Sequence, residues 1–327
     1  MSTADPPVFT DITAAADRLA GHVVRTPLLE STRLNDQVGG RLLIKAECLQ
    51  RTGSFKFRGA FNRMSLIPDG RRAAGVVAYS SGNHAQGVAA AARAFGVAAT
   101  IVMPKDAPAI KVANTKADGG EVVFYDRYRD VREEIGARLA EERGATIVKP
   151  YDDPGIIAGQ GTIGLEIAAQ LATLETPADA VLVPCGGGGL VSGIALALNS
   201  ALPGVPVYAV EPAAFDDTRR SLVAGSRLAN DPAARSICDA LLAPTPGEIT
   251  FALNHQLLAG GLTASDKAAR AAMAAAFDAF KIVVEPGGAV ALAATLTGQL
   301  DIGGKTVVVV ASGGNVDPAV FTGALAA

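Results

Sequence analysis

The sequence predicts an α/β protein in which helices cover parallel sheets. Short segments rich in valine, isoleucine and leucine alternate with longer segments rich in alanine and leucine along most of the chain. This alternation is typical of strand–helix–strand units, which form parallel sheets. The chain also has 327 residues, of which 49% are hydrophobic. A chain of this size and composition can build more than one core, and global disorder is excluded.

Each element is predicted from its own residue pattern. The predicted strands are 42–46, 76–79, 100–103, 121–124, 146–148, 180–183, 205–210 and 306–311. The predicted helices are 57–65, 84–95, 110–118, 129–143, 157–171, 190–200, 265–280 and 287–297. Residues 75–150 are expected to form a small domain, a βαβαβ unit inserted into a large domain made of residues 1–74 and 151–327.

Charge and composition exclude several classes of partner. The 29 Lys and Arg residues are balanced by 32 Asp and Glu residues, so no basic surface for nucleic acid is expected. Residues 180–210 are uncharged, but Pro and Gly interrupt them, which indicates buried strands and a helix rather than a membrane span. No export signal is seen in residues 1–11. Three cysteines fit reduced thiols, so we expect a cytoplasmic protein.

Three turns that contain glycine follow predicted strands, at residues 80–84, 185–189 and 312–315. The carboxyl ends of parallel strands border the ligand crevice, so these turns are expected to face one cleft. The second turn contains the glycine loop, which consists of Gly186, Gly187, Gly188 and Gly189. Its backbone N–H groups and the following helix start favour a phosphate group. A turn that only allows a strand and a helix to pack is the alternative.

The glycine loop does not match the common nucleotide-binding patterns. A kinase-type loop requires Lys followed by Ser or Thr, where this chain has Leu190 and Val191. The dinucleotide pattern fails at its third glycine, but Glu211 follows the next strand at about the distance expected for a ribose-binding acid. A nucleotide-binding oxidoreductase therefore stays open as an alternative.

Lys56 is the candidate nucleophile. Phe55 and Phe57 flank it and can desolvate its amine, which lowers the pKa and favours attack on carbonyl groups. A solvated surface lysine is the alternative interpretation. A nucleophilic lysine together with a phosphate site suggests a cofactor that carries an aldehyde and a phosphate and is held as a Schiff base.

Five segments carry a resemblance to a known family: SFKFRGA at 54–60, SSGNHAQ at 80–86, IAGQGT at 157–162, GGGGL at 186–190 and VEPGGA at 284–289. In this order they resemble fold-type II pyridoxal-phosphate enzymes of the threonine dehydratase and serine racemase group, which includes 3-hydroxyaspartate dehydratases. The resemblance covers almost the whole chain. It implies a tryptophan synthase β-like fold with two parallel-sheet α/β domains, pyridoxal 5′-phosphate in the cleft between them, and a homodimer.

The resemblance also implies which residues hold the cofactor. Lys56 would form the Schiff base and, once the substrate displaces it, remove the Cα proton as general base. Phe55 would pack against the cofactor ring and Asn83 would hydrogen-bond its 3′ oxygen. The glycine loop would bind the phosphate, and Ser312 would face the pyridine nitrogen.

Substrate contacts are implied in the same way. Those expected to bind the α-carboxylate are Ser80, Ser81, Asn83 and His84. Ser81 also matches the serine that acts on the opposite face of Cα in racemases, whereas His84 has a helix cap as its alternative role. Arg132 aligns with an arginine that approaches side-chain carboxylates, which would favour 3-hydroxyaspartate; a solvated helix face is the alternative.

The racemase branch further implies a divalent cation, Mg²⁺, Ca²⁺ or Mn²⁺. Its ligands would be the Glu211 and Asp217 carboxylates and the Phe215 backbone carbonyl, oxygen donors that suit a hard ion. An acidic surface turn is the alternative. One departure from the family pattern is Ala240, which replaces the usual glycine beside the cofactor.

We therefore expect a pyridoxal-phosphate-dependent lyase that eliminates water from serine, threonine or 3-hydroxyaspartate and yields a 2-oxo acid and ammonia. An amino-acid racemase with side elimination is the alternative within the fold. A nucleotide-binding oxidoreductase and a catalytically silent amino-acid sensor are the alternatives from other classes.

Overall fold

The computed structural model of the chain describes residues 5–80, 82–126 and 129–326. The strands, in chain order, are β1 (Leu28–Glu30), β2 (Arg41–Lys45), β3 (Val76–Tyr79), β4 (Ala99–Pro104), β5 (Glu121–Tyr125), β6 (Thr146–Ile147), β7 (Ala180–Pro184), β8 (Val207–Pro212), β9 (Gly260–Ala264) and β10 (Thr306–Val310).

The helices, in chain order, are α1 (Phe9–Leu19), α2 (Thr32–Val38), α3 (Lys56–Ser65), α4 (Asp69–Arg72), α5 (Asn83–Phe95), α6 (Ala109–Ala117), α7 (Arg132–Arg143), α8 (Pro154–Thr173), α9 (Gly189–Ala201), α10 (Asp217–Ala224), α11 (Glu248–Leu257), α12 (Asp266–Phe280), α13 (Pro286–Leu296) and α14 (Pro318–Leu325). Short 3₁₀ turns lie at Glu47–Leu49, Arg51–Gly53 and Asp239–Leu241.

Two sheets organise the molecule. The large sheet has the strand order β1-β2-β10-β7-β8-β9, and the small sheet has the order β5-β4-β3-β6. β1 pairs antiparallel with β2, and the other neighbouring strands are parallel. Large-sheet strands come from both sides of the small-sheet segment, and the predicted fold class is confirmed. The domain boundaries at residues 75 and 150 stay a prediction.

The predicted strands and helices all occur, with ends that differ by at most three residues. Among the elements that the sequence reading missed are β1, which has three residues, and β9, which begins with Gly260 and Gly261. Interior glycine weakens a strand pattern, and so short a strand has no readable period. Within the described part of the chain, none of the helices combines the length and the apolar character that crossing a membrane requires.

Helix α3 joins the small sheet to the rest of the molecule. Its Phe57, Phe61 and Met64 side chains are buried in one hydrophobic cluster with Val76 of β3 and Ile101 of β4. The same helix contacts α8, which packs closely against α9 beside the large sheet. Its first residue is therefore held between the two sheets.

A buried group of charges holds α3 in this position. The Arg58 guanidinium is fully buried and lies 2.8 Å from the Glu47 carboxylate and 2.6 Å from the Glu166 carboxylate. The ammonium group of Lys45, on β2, lies 2.6 Å from Glu166. Two cations thus balance two carboxylates, so no buried charge is left uncompensated. Such a network restricts α3 to one orientation, because any other orientation would leave a buried charge without an opposite charge beside it.

Candidate active site

A cleft of about 940 Å³ opens at the carboxyl ends of β3, β7 and β10. The turn that follows each of these strands contributes to its lining: Ser80 after β3, the glycine loop after β7, and Ser312 after β10. The structure therefore brings the three turns to one cleft, as predicted from parallel-sheet geometry.

Lys56 begins α3 and projects its amine into this cleft. The amine donates a hydrogen bond of 2.7 Å to the backbone carbonyl of Pro150 and lies 5.1 Å from the centre of the Phe55 ring. Phe57 instead packs in the core around α3. Desolvation lowers the pKa of Lys56 to about 8. About a tenth of this amine is consequently uncharged at pH 7, and a nucleophile or a general base requires this form.

The glycine loop leads into the N-terminus of α9, and two of its positions leave no room for a side chain. A Cβ atom on Gly187 would lie 2.5 Å from the Tyr151 ring, and one on Gly188 would lie 2.8 Å from the Thr250 Cβ atom. Gly188 also has φ of +97°, a conformation that favours glycine. All four glycines line the cleft beside the positive end of the α9 helix dipole, so the loop fits a phosphate group.

Asn83 begins α5 and is held by two other side chains. Its amide nitrogen donates to the Glu285 carboxylate, and its amide oxygen accepts a 2.9 Å hydrogen bond from Asn315. The second hydrogen of the amide nitrogen can therefore be offered to a ligand oxygen in the cleft. Ser312 is 4% exposed and lines the cleft. The Lys56 amine, the glycine loop, the Asn83 amide and the Ser312 hydroxyl together fit pyridoxal phosphate.

The predicted carboxylate-binding residues lie at the start of α5. The Ser80 hydroxyl accepts a 3.1 Å hydrogen bond from the Gly82 N–H, and both residues line the cleft. Ser81 lies outside the described residues. His84 is buried, and its Nε2 atom lies 2.9 Å from the backbone carbonyl of Val148. Burial and the nearby positive charge of Lys56 lower the pKa of His84 to about 3.

Arg132 begins α7 and lines the same cleft. Its guanidinium lies 5.5 Å from the centre of the Tyr79 ring and 2.8 Å from the carboxylate of Glu133. The side chain of Glu133 is 52% exposed. A substrate carboxylate can replace such a solvated neighbour, since a guanidinium offers five N–H donors in a fork that matches a carboxylate.

The sequence reading assigned no role to four residues that line the cleft. Lys111 is buried, and its ammonium lies 2.7 Å from the Asp239 carboxylate and 3.1 Å from the Glu285 carboxylate. Tyr151 covers Gly187, and burial raises the pKa of its phenol to about 12. Glu285 lies in the VEPGGA segment and Asp239 precedes Ala240, so both stand within patterns that the sequence shows. Lys111 and Tyr151 have no distinctive local pattern. Ala240 lines the cleft, as expected.

The predicted cation ligands lie apart from this cleft. Both Glu211 oxygens accept backbone N–H groups, from Thr218 at 2.9 Å and from Arg219 at 2.8 Å. One Asp217 oxygen accepts a hydrogen bond from Asn230, and the other is buried with no hydrogen-bond partner among the described residues. Burial, assisted by the Asp217 charge, raises the pKa of Glu211 to about 8, and burial raises the pKa of Asp217 to about 6.

These two carboxylates fit a cation with oxygen ligands, because a positive ion would satisfy the unpartnered Asp217 oxygen. Among the described residues, no group of three His, Cys, Asp or Glu side chains is placed to hold a metal ion. Ligation would thus depend on backbone oxygen, such as that of Phe215, and on water. Glu211 is not part of the described lining of the cleft. This position argues against the ribose-binding role that the nucleotide alternative requires.

Comparison with known proteins indicates the same cofactor that the residues of the cleft fit. A model of the pyridoxal-phosphate dependent enzyme family matches residues 19–313. Relatives named L-threo-3-hydroxyaspartate ammonia-lyase from Saccharomyces cerevisiae and Pseudomonas are 43% and 45% identical, over 95% and 94% of this chain and 94% and 95% of the relatives. The solved structure of maize serine racemase has a TM-score of 0.91 and 37% identity, and the match covers 98% of this chain and 97% of that one.

The resemblance stated from five segments of sequence is therefore confirmed, as is the expected fold. The match spans both sheets and includes Lys56, the glycine loop and Ser312, which are the groups that fit the cofactor. The chain belongs to the family of pyridoxal-phosphate-dependent enzymes.

Proposed function

We propose that the protein is an ammonia-lyase that eliminates water from 3-hydroxyaspartate, so that hydrolysis of the product gives oxaloacetate and ammonia. The observation that carries the choice of substrate is Arg132, a cation in the wall of the cleft that contains Lys56. Its present partner, Glu133, is exposed and follows it directly in the sequence, so it can yield to a ligand carboxylate. The names of the two relatives from yeast and Pseudomonas support the same substrate. Serine and threonine, which lack a second carboxylate, are expected to be poorer substrates.

The residues divide the chemistry between them. When bound, pyridoxal phosphate supplies an electron sink for the electron pair left on Cα after proton removal. The glycine loop and the start of α9 would hold the phosphate, and Asn83 would donate to the 3′ oxygen. Lys56 would hold the cofactor, and its amine, whose pKa is lowered to about 8, would take the Cα proton.

Ser312 would set the strength of that electron sink. The family resemblance places it opposite the pyridine nitrogen, where a neutral hydroxyl would not hold a proton on the ring as a carboxylate would. Loss of the β-hydroxyl is therefore favoured over reactions that need prolonged storage of negative charge on the ring. The released enamine takes up water and loses ammonia in solution, so the net products are oxaloacetate and ammonia.

Steady-state ammonia release tests this proposal with serine, threonine and the four stereoisomers of 3-hydroxyaspartate. Arg132→Leu should lower kcat/KM for 3-hydroxyaspartate by about 100-fold while changing that for serine by less than about threefold, since one charge-assisted pair is lost. Arg138→Leu is the matched control, because Arg138 is an exposed arginine on the same helix. Equal losses on both substrates would contradict the assignment of Arg132. Absence of ammonia from every substrate would favour the amino-acid sensor.

Racemisation is a second activity that we propose to test. It is supported by the match to maize serine racemase and by the serine at position 81, which has the residue type needed to act on the other face of Cα. Exchange of the Cα hydrogen with deuterium and inversion of recovered serine would both be measured. Ser81→Ala should abolish inversion, whereas ammonia release, lowered by the loss of one carboxylate contact, should remain measurable.

We further propose that Mg²⁺ binds at Glu211, Phe215 and Asp217, and that the active form is a cytoplasmic homodimer. The unpartnered Asp217 oxygen supports the metal, and three buried free cysteines suit a reducing compartment. The dimer is supported by the family resemblance alone. Sedimentation equilibrium of the cofactor-loaded protein tests it, and a monomer mass would contradict it.

A further inference from the structure

Asn315 connects the chain segment that leads to Lys56 with the wall of the cleft. Its side-chain nitrogen lies 2.7 Å from the backbone carbonyl oxygen of Thr52. The same nitrogen lies 2.9 Å from the side-chain amide of Asn83. Asn83 lines the cleft, whereas Asn315 is not among the described residues of the lining. Asn315 can therefore influence a ligand only through the residues that it holds.

The carbonyl group of Thr52 determines how both side-chain amides are oriented. A carbonyl oxygen only accepts hydrogen bonds, so the end of Asn315 beside it must be the NH₂ group. The second hydrogen of this NH₂ group requires an acceptor, so the Asn83 atom that it meets must be the amide oxygen. The amide nitrogen of Asn83 is thereby turned away from Asn315 and donates to the Glu285 carboxylate.

The acceptor at Thr52 is itself held in an uncommon backbone conformation. Thr52 has φ of +61°, in the left-handed region that a β-branched residue rarely adopts. Such a conformation persists only where the surrounding structure holds it, and the hydrogen bond from Asn315 is one such contact. Gly53 leaves room for this approach, since a Cβ atom there would lie 2.6 Å from the amide oxygen of Asn315.

We propose that Asn315 is a positioning residue that fixes the Asn83 amide, so that an N–H group and not a carbonyl oxygen faces the 3′ oxygen of pyridoxal phosphate. The proposal rests on the proposed function, to which the contact between Asn83 and this oxygen belongs. An N–H group stabilises the ionised 3′ oxygen by donating to it. A carbonyl oxygen in the same place would repel the ionised form and favour the protonated one.

Two substitutions of Asn315 separate this role from simple packing. Asn315→Asp keeps the shape of the side chain but presents acceptors, so the Asn83 NH₂ group should turn toward it and the Asn83 oxygen toward the cofactor. Asn315→Ala leaves the Asn83 amide free to rotate. In titrations of cofactor-free protein, the dissociation constant of pyridoxal phosphate should rise about 10- to 100-fold in Asn315→Asp and less in Asn315→Ala. A larger rise in Asn315→Ala would indicate lost packing and would overturn the proposal.

The absorbance of the bound cofactor reports on the 3′ oxygen directly. The cofactor held by Lys56 absorbs at longer wavelength when this oxygen is ionised than when it is protonated, so Asn315→Asp should shift the spectrum to shorter wavelength. Asn62→Asp is the matched control, because Asn62 is a buried asparagine that donates to the Gly155 carbonyl and is not part of the described lining. An unchanged spectrum in Asn315→Asp, or the same shift in Asn62→Asp, would refute the assignment.

A double-mutant cycle tests whether Asn315 acts through Asn83. Asn83→Ala removes the amide that Asn315 orients, so adding Asn315→Asp should then change the dissociation constant of the cofactor by less than about threefold. A further rise of about tenfold or more would show that the new charge, and not the orientation of Asn83, weakens binding, and would contradict the proposal. Failure of the proposed lyase activity would appear separately, as no ammonia from any substrate while the cofactor responds as described.

Discussion

The ammonium nitrogen of Lys111 lies 3.1 Å from a carboxylate oxygen of Glu285, and the two side chains are 2% and 1% exposed. Lys111 belongs to α6, beside the small sheet, and Glu285 immediately precedes α13, beside the large sheet. Burial raises the pKa of Glu285, and the positive charge of Lys111 opposes this effect. The pair therefore links the two halves of the cleft, and burial outweighs the charge of Lys111, so the pKa of the carboxyl group that Asn83 contacts is raised.

Breaking this pair should destabilise the protein strongly. Lys111→Met leaves Glu285 buried without its counter-charge and should lower the free energy of unfolding by about 3–5 kcal/mol. Urea unfolding of the cofactor-free protein measures this change. Lys281→Met is the control, because Lys281 is exposed and its nitrogen lies 3.8 Å from Asp278; a change below about 1 kcal/mol is expected there.

The double variant Lys111→Met with Glu285→Gln should be more stable than the sum of the two single changes predicts, because it buries no unpaired charge. Strict additivity of the two single effects would contradict coupling between these residues.

Gly187→Ala should weaken cofactor binding by about tenfold or more. The added methyl group would lie 2.5 Å from the Tyr151 ring, so either the loop or the ring must move at the phosphate site. Titration of cofactor-free protein with pyridoxal phosphate, followed by absorbance, measures the dissociation constant. Gly323→Ala in α14 is the matched control, because nothing lies within 4 Å of its added Cβ atom. Wild-type affinity in Gly187→Ala would show that the loop does not hold the phosphate.

The rate of covalent attachment of pyridoxal phosphate to Lys56 should depend on pH with a midpoint near 8. Desolvation lowers the pKa of this amine to about 8, and only the uncharged amine attacks an aldehyde. The rate should therefore rise up to about pH 8 and then level off. Stopped-flow absorbance measures it, with free N-acetyl-lysine in the same buffers to correct for titration of the cofactor. A rate still rising tenfold per pH unit above pH 9 would match an ordinary lysine.

Addition of Mg²⁺ should raise the melting temperature of the holoenzyme, and EDTA should reverse the effect. Mg²⁺ that binds only the native state, at a concentration 100 times its dissociation constant, raises the free energy of unfolding by about 2.7 kcal/mol. Asp217→Asn should abolish the response. Asp216→Asn is the matched control, because the Asp216 carboxylate pairs with Arg219 and Arg220 and is not a predicted ligand. An equal Mg²⁺ response in both variants would show that the metal binds at another site.

The architecture could be read from the chain because its signals are local. Strands such as Thr306–Val310 are short apolar runs beside turn residues, and the glycine loop can be recognised from four consecutive residues without knowledge of what it contacts. Lys56 was found because its motif and its aromatic neighbour lie within a few residues. Elements such as β9 were missed, since its glycines make the pattern of an edge strand resemble that of a loop.

The sequence alone thus determined three features: the alternation of strands and helices, the reactive amine of Lys56 and the glycine loop. Each is recognised from residues that are neighbours in the chain, so no distant contact is needed to predict it. Tertiary structure decided the chemistry at individual atoms. The hydrogen-bond partner of His84 is Val148, 64 residues away, and the pKa of Glu285 depends on Lys111, 174 residues away. Burial and hydrogen-bond partners set protonation, and both exist only after the two sheets have come together.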